Sequence, residues 1–191
     1  MKNQLIQYAK AGYPGLFLLS HEEGRVEAEL KAVAGEVGFT LHVWSTTGGL
    51  ADTASGASRD TPDPLAALDA VEGLPERSVV LFHDLGLFLE DGNPALVRKL
   101  KDALRLAKSS AKMLVLLGPR QKLPPELERD LVAVEFALPD KAALSAVLDG
   151  ILASAEIESI PGELRERALD AAAGLTTVEE ILRVTQDDLG A

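Results

Sequence analysis

Five short apolar runs, residues 16–19, 39–44, 79–82, 113–117 and 132–137, recur along the chain, each bounded by Gly, Pro, Ser or charged residues. Runs of this length, rich in β-branched and aromatic side chains, predict β-strands. Between them the apolar positions take a helical period: Val26, Leu30, Val33 and Val37 form one stripe, and Leu96, Leu100, Ala103, Leu104 and Ala107 another. Pro62-Asp63-Pro64 opens a third helix that runs through Val71. Strands this continuously apolar, alternating with helices, imply a parallel sheet covered on both faces with right-handed crossovers. The expected core is a doubly wound, three-layer α/β domain with a five-stranded parallel sheet.

Residues 45–64 lose apolar periodicity altogether and carry small polar side chains with little to bury, so this stretch is expected to be a mobile loop. After Pro139 the pattern changes. Leu144, Val147, Leu148, Ile151 and Leu152 sit at helical spacing, Ile160-Pro161-Gly162 opens a helix through Ala173, and Thr176-Thr177 followed by Glu179 and Glu180 opens another. Residues 1–139 are thus expected to form the α/β core and residues 140–191 a small three-helix appendage, too short to be stable without docking.

With 191 residues and 47 % apolar content the chain can bury a sizeable core. No apolar run approaches the roughly 20 residues of a membrane span, no leader-like apolar region follows Met1, and cysteine is absent. A cytoplasmic protein is expected. The net charge of −11 argues against a nucleic-acid partner held by phosphate neutralisation.

The turn after the first strand, Ser20-His21-Glu22-Glu23-Gly24-Arg25, stands where an α/β domain cradles phosphate, because backbone N–H groups and the helix dipole point there. It contains no Gly-x-x-x-x-Gly-Lys-[Ser/Thr], and Glu22 and Glu23 would repel a triphosphate. Asp84 ends the third strand at the carboxyl edge of the sheet, where it either marks a vestigial Mg²⁺ position or caps the turn. Leu85 follows, and leucine cannot accept a proton, so a hydrolytic base is absent there. Arg129 could reach a neighbouring subunit's nucleotide in trans, or be a solvated arginine paired with Glu126 or Asp130. Glu22, Glu23, Asp84 and Lys141 would also suit a phosphoacceptor site, although the fourth strand ends in Gly118-Pro119 with no hydroxyl. His21, His42 and His83 share no metal spacing. His42 reads as a side chain at a sheet surface, Trp44 as core or rim, and the basic helix around residues 97–105 as a solvated face.

Several segments together carry a resemblance: Tyr13-Pro14-Gly15-Leu16-Phe17-Leu18-Leu19 with Glu22-Glu23, Asp63-Pro64-Leu65-Ala66-Ala67-Leu68, the stretch 79–89, and Leu96-Val97-Arg98-Lys99-Leu100. Leu123-Pro124-Pro125-Glu126-Leu127, Val134-Glu135-Phe136-Ala137-Leu138-Pro139 and Ala173-Gly174-Leu175-Thr176 continue it in order across nearly the whole chain. The sequence resembles the amino-terminal half of the bacterial and chloroplast-encoded two-domain AAA+ ATPases. In that family the first half is a degenerate P-loop-NTPase-like module and the intact Walker motifs lie in a following domain. The resemblance implies that residues 140–191 form the helical lid and that Asp84 alone maps onto a Walker B aspartate. The Walker A glycines and lysine, the Walker B glutamate and the polar sensor of strand four have no counterpart.

The expected function is therefore a non-catalytic platform for regulation, oligomerisation or partner docking, with no catalytic, metal-binding or nucleotide-binding residue assigned. It would serve an ATP-hydrolysing domain that this chain lacks. No cofactor is expected for the chain itself and Mg-ATP for the parent protein, which should be a homo-oligomer. The alternative is a nucleotide-binding or phosphoacceptor switch using Asp84. Because the chain ends at Leu189-Gly190-Ala191, where the resemblance places a catalytic domain, a fragment is expected, with a short paralogue as the alternative.

Overall fold

Side chains along each central strand alternate between two separate cores, and that alternation defines the layers of the computed structural model. It describes residues 1–90, 92–121, 123–137, 141–154, 157 and 159–172. On strands β1 (Gly15–Leu19), β5 (Ser78–His83) and β6 (Met113–Gly118), Leu16, Leu18, Val79, Leu81, Met113, Val115 and Leu117 face one way. They pack against helices α1 (Lys2–Lys10) and α2 (Glu23–Val37) through Leu5, Ile6, Val26, Leu30 and Val33. Phe17, Val80, Phe82, Leu114 and Leu116 face the other way, toward α3 (Pro64–Ala70), α4 (Leu85–Leu89) and α5 (Pro94–Ser109). Strands buried on both faces follow from this sandwiching, which is why they read as unbroken apolar runs.

Strands β2 (Thr40–Ser45) and β7 (Val132–Glu135) complete the five expected parallel strands. Among the described residues the sheet, however, has seven strands: with β3 (Gly49–Asp52) and β4 (Ser58–Arg59) the order is β4-β3-β2-β5-β6-β1-β7. The additional pair, β3 and β4, runs antiparallel beyond β2, so the expectations of five strands and of a purely parallel sheet are both corrected.

These strands come from the stretch expected to be a mobile loop. Trp44 Nε1 donates to the Thr61 carbonyl at 2.7 Å, Thr61 Oγ1 accepts from Leu50 N at 3.1 Å, and Thr53 Oγ1 donates to the Leu41 carbonyl at 2.9 Å. Small polar side chains here satisfy backbone groups instead of filling a core. Trp44 itself is fully buried against Phe82, with ring centroids 5.7 Å apart.

His42, expected at a sheet surface, is also buried, and its Nε2 lies 3.3 Å from Ser78 Oγ. The Ser78 hydroxyl hydrogen is committed to the Pro75 carbonyl at 2.8 Å, so Nε2–H is the donor in the histidine contact. Burial lowers the His42 pKa, against the raising influence of Asp52 beside it and with that of Arg59.

Asp63 caps α3 by accepting from Ala66 N at 3.0 Å, and Asn93 caps α5 by accepting from Ala95 N at 3.1 Å. The outer face of α5 is laced with ion pairs, Arg98–Asp102, Lys99–Asp69 and Lys101–Asp130 among them, as a solvated face would be.

Residues 1–136 form one compact unit and residues 137–191 a second. In the second, α6 (Lys141–Ser154) and α7 (Gly162–Ala172) bury Leu144, Leu148 and Leu152 with Ala168 and Leu169. Arg165 Nη2 donates to Ser145 Oγ at 2.6 Å and meets Asp149 Oδ1 at 2.7 Å. The third helix expected from Thr176 lies outside the described residues.

Candidate functional site

The crossovers from β1 and β6 leave in opposite directions, toward β2 and β7 respectively, which places a topological switch point between their carboxyl ends. A cavity of about 260 Å³ opens there. Phe17, Leu117, Gly118 and Pro119 form its apolar wall, and Leu87, His21, Asp84 and Arg120 complete it.

The turn joining β1 to α2 is only Ser20-His21-Glu22. Its backbone is turned to internal use: Ser20 N donates to the Gly118 carbonyl at 3.2 Å, and Glu22 N donates to Ser20 Oγ at 3.0 Å. A phosphate cradle needs such N–H groups converging on the ligand. The acids of the turn are likewise engaged. Glu22 pairs with Arg25, whose guanidinium stacks over Phe136 with its central carbon 4.5 Å from the ring centroid. Glu23 Oε2 lies 3.5 Å from His83 Nδ1, and Glu27 Oε1 lies 2.8 Å from His83 Nε2. The first turns of α2 are thus tied to the end of β5 across the place where phosphates would sit.

Asp84 is exposed and lines the cavity, with its backbone in the left-handed region at φ 55°. It occupies the N-cap position of α4, yet its side chain makes no capping bond, so the expectation of a turn-capping carboxylate is corrected. Its amide is held by the Leu117 carbonyl at 3.2 Å. Leu85 is fully buried in the core beneath α4. Gly118, at the end of β6, supplies backbone only.

Of the remaining sequence candidates, Arg129 is no part of the cavity lining. Arg129 is exposed and makes no ion pair with Glu126 or Asp130; Asp130 instead meets Lys101 Nζ at 3.6 Å. Lys141 donates to Glu166 at 2.5 Å and Asp170 at 3.2 Å within the helical unit, and these bonds raise its pKa. Its ammonium is therefore already neutralised by two carboxylates, which corrects the expectation of a phosphoacceptor lysine. Among the described residues no group of three His, Asp or Glu side chains is placed to hold a metal ion.

Sequence reasoning missed His83 as the anchor of α2, since its partner Glu27 is 56 positions away. A larger groove of about 810 Å³ runs from Glu90 and Pro94 to Glu126. Its cations Arg98 and Lys101 are already paired with Asp102 and Asp130.

Against known proteins, the family described as SpoVK-like AAA ATPase, N-terminal domain, matches residues 1–136. The AAA domain-containing protein ycf46 of Trieres chinensis is 28 % identical over 185 residues, which cover 95 % of this chain. The chain spans 36 % of that relative's length. Among solved structures, the FIGL-1 AAA domain in complex with ADP is similar at a TM-score of 0.65 and 13 % identity, covering 93 % of this chain and 61 % of that one. PCH-2 of C. elegans is similar at a TM-score of 0.63 and 12 % identity, covering 100 % and 70 %. At these identities the likeness speaks for fold alone: an α/β, P-loop-NTPase-like domain of the AAA+ type. Among the described residues no helix is long and apolar enough to cross a membrane.

Proposed function

Because the chain belongs to the SpoVK-like AAA ATPase N-terminal domain family over residues 1–136, we propose that it is a non-catalytic AAA+ platform in a longer, cytoplasmic, oligomeric ATPase. The observation that carries this reading is the three-residue turn between β1 and α2, with two of its amides bonded internally and Glu22 and Glu23 facing their own cationic and histidine partners. A triphosphate would have to displace these contacts and meet two carboxylates at the helix N-terminus. Leu85, buried where a Walker B glutamate would activate water, supports the same reading. Asp84 is then the remnant of a metal position, and the shallow apolar cavity beside it is free to serve packing or docking. Residues 140–191 would form the lid-like subdomain, and Mg-ATP would be used by the following domain only.

Such a platform would act by making different contacts in each nucleotide state of its neighbour. The test is a titration of the chain with fluorescent ATP and ADP, with and without Mg²⁺, comparing wild type with Asp84→Ala. The expected result is no saturable binding that depends on Mg²⁺ and on Asp84. Saturable Mg²⁺-dependent binding abolished by Asp84→Ala would overturn the proposal in favour of a nucleotide sensor. Incubation with a phosphodonor and intact-mass measurement should leave the mass unchanged; a covalent phosphoryl adduct at Asp84 would establish a phosphoacceptor switch instead.

A further inference from the structure

At the amino-terminal edge of the sheet, opposite the site above, the strained backbone of two loops meets. Arg77 N, just before β5, donates to the carbonyl of Ala111, just before β6, at 3.0 Å, and Thr40 N at the start of β2 donates to the Arg77 carbonyl at 2.9 Å. Arg77 and Ala111 have φ of 59° and 49°, two of the three non-glycine residues in the left-handed region among the described residues. That conformation costs roughly 1–2 kcal/mol per residue, and such cost tends to be kept where a side chain must be presented in a fixed place. Both residues line a cavity of about 300 Å³.

Every charged side chain lining this cavity is a cation: Lys10, Arg77, Lys108 and Lys112. In a chain of net charge −11, that segregation is notable electrostatically, since no carboxylate lies in the lining. Lys10, Arg77 and Lys108 are exposed and make no ion pair among the described residues. Lys112 is buried in the wall and donates to the carbonyls of Val71 and Glu72 at 3.0 and 3.1 Å, so its charge is fixed in place without a carboxylate.

A structural role for these cations is available. The C-terminal ends of α1, α2 and α5 converge here, and cations stabilise helix C-termini. Lys112, however, already answers the C-terminal end of α3, and each of the three termini here carries only about half a negative charge, so against the three exposed cations they leave an excess of about one to two positive charges. That excess is spread over three side chains around one opening, an arrangement that suits an anion carrying oxygens on more than one centre.

We propose that this cavity binds a small, free anion bearing more than one phosphoryl group. Arg77 would engage phosphoryl oxygens through its planar fork, Lys10 and Lys108 would add point charges from two helix ends, and the exposed ring of Tyr13 would close one side. The site is independent of Asp84 and of Mg²⁺.

The test is calorimetric titration of the full chain with sodium pyrophosphate at low ionic strength in the absence of Mg²⁺. Saturable one-to-one binding is expected, weakened about tenfold or more by Arg77→Gly and by Lys108→Ala. Lys31→Ala, an exposed lysine on α2 outside the lining, should bind as wild type does. Glycine tolerates the left-handed backbone, so Arg77→Gly removes the guanidinium while a thermal melt of the unliganded chain should show unchanged or raised stability. Absence of saturable binding by wild type would overturn the proposal. So would wild-type affinity in both variants, or binding that survives them and is lost in Arg120→Ala, which would locate the anion at the other edge.

Discussion

Gly49 is the position where the ordering of residues 45–64 can be tested with a single methyl group. It sits at φ 64°, and a Cβ built on it would collide with the backbone carbonyl oxygen of Arg59 and lie 3.0 Å from Thr61 N. The obstacles are main chain, so relief requires β4 to separate from β3. The left-handed conformation costs an alanine roughly 1–2 kcal/mol, and overpacking adds about 1–3 kcal/mol. Gly49→Ala should therefore destabilise by about 2–5 kcal/mol, equivalent to a melting temperature lower by roughly 4–20 °C for a chain of this size. Gly56 provides the control, because it has φ 72° but nothing within 4 Å of its added Cβ, so Gly56→Ala should cost only the backbone term. Trp44, the only tryptophan in the chain, is the reporter: it is fully buried and bonded through Nε1 to the Thr61 carbonyl. Its emission should shift to longer wavelength in Gly49→Ala and stay fixed in Gly56→Ala. Urea melts followed at Trp44 would measure both effects. Equal stabilities for the two variants with unaltered emission would refute an ordered β3–β4 pair.

Two further outcomes can be checked on the same chain. Because the His42 pKa lies below its ordinary value of 6.5, the unfolded chain binds the proton more readily, and stability should be full above 6.5 and fall as pH drops through and below it. The stability slope between pH 7 and pH 5 should be shallower in His42→Gln, and identical slopes would remove His42 as a cause. Lys112→Met keeps the buried stem but strips the Val71 and Glu72 carbonyls of their donor, so a loss of about 1–3 kcal/mol is expected in urea melts. A neutral result would show that water replaces the ammonium there.

Strands β1, β5 and β6 were legible because burial on both faces leaves an unbroken apolar run, α3 because Asp63 sits between prolines, and α5 because Leu96, Leu100, Ala103, Leu104 and Ala107 form one buried stripe. The pair β3–β4 was not. Gly49-Leu50-Ala51-Asp52 offers one core side chain, Leu50, too few to set a period, and its ordering bonds join residues 11 to 17 positions apart, which no local pattern encodes. Helix α1 was passed over for a similar reason, having only Leu5, Ile6 and Ala9 buried in nine residues. At the candidate site, the missing glycines and lysine of a phosphate loop could be read directly from residues 20–25. What replaced them could not, since the His83–Glu27 contact and the internal bonding of Ser20 exist only once β5, β6 and α2 are assembled. The cationic cavity was equally hidden, its four charges being drawn from two helices and two loops between positions 10 and 112.

The antiparallel pair also decides how the sheet ends. Without it, β2 would present a six-residue flank of unpaired amides and carbonyls, a template on which a second chain could add. Instead the ladder narrows from six residues to four and then to two, and the last strand is Ser58-Arg59, both exposed. A border that short and polar offers a stray strand almost nothing to hold. Trimming residues 46–61 as though they were slack would therefore trade a soluble rim for an adhesive one, and the truncated chain would be prone to assemble edge to edge.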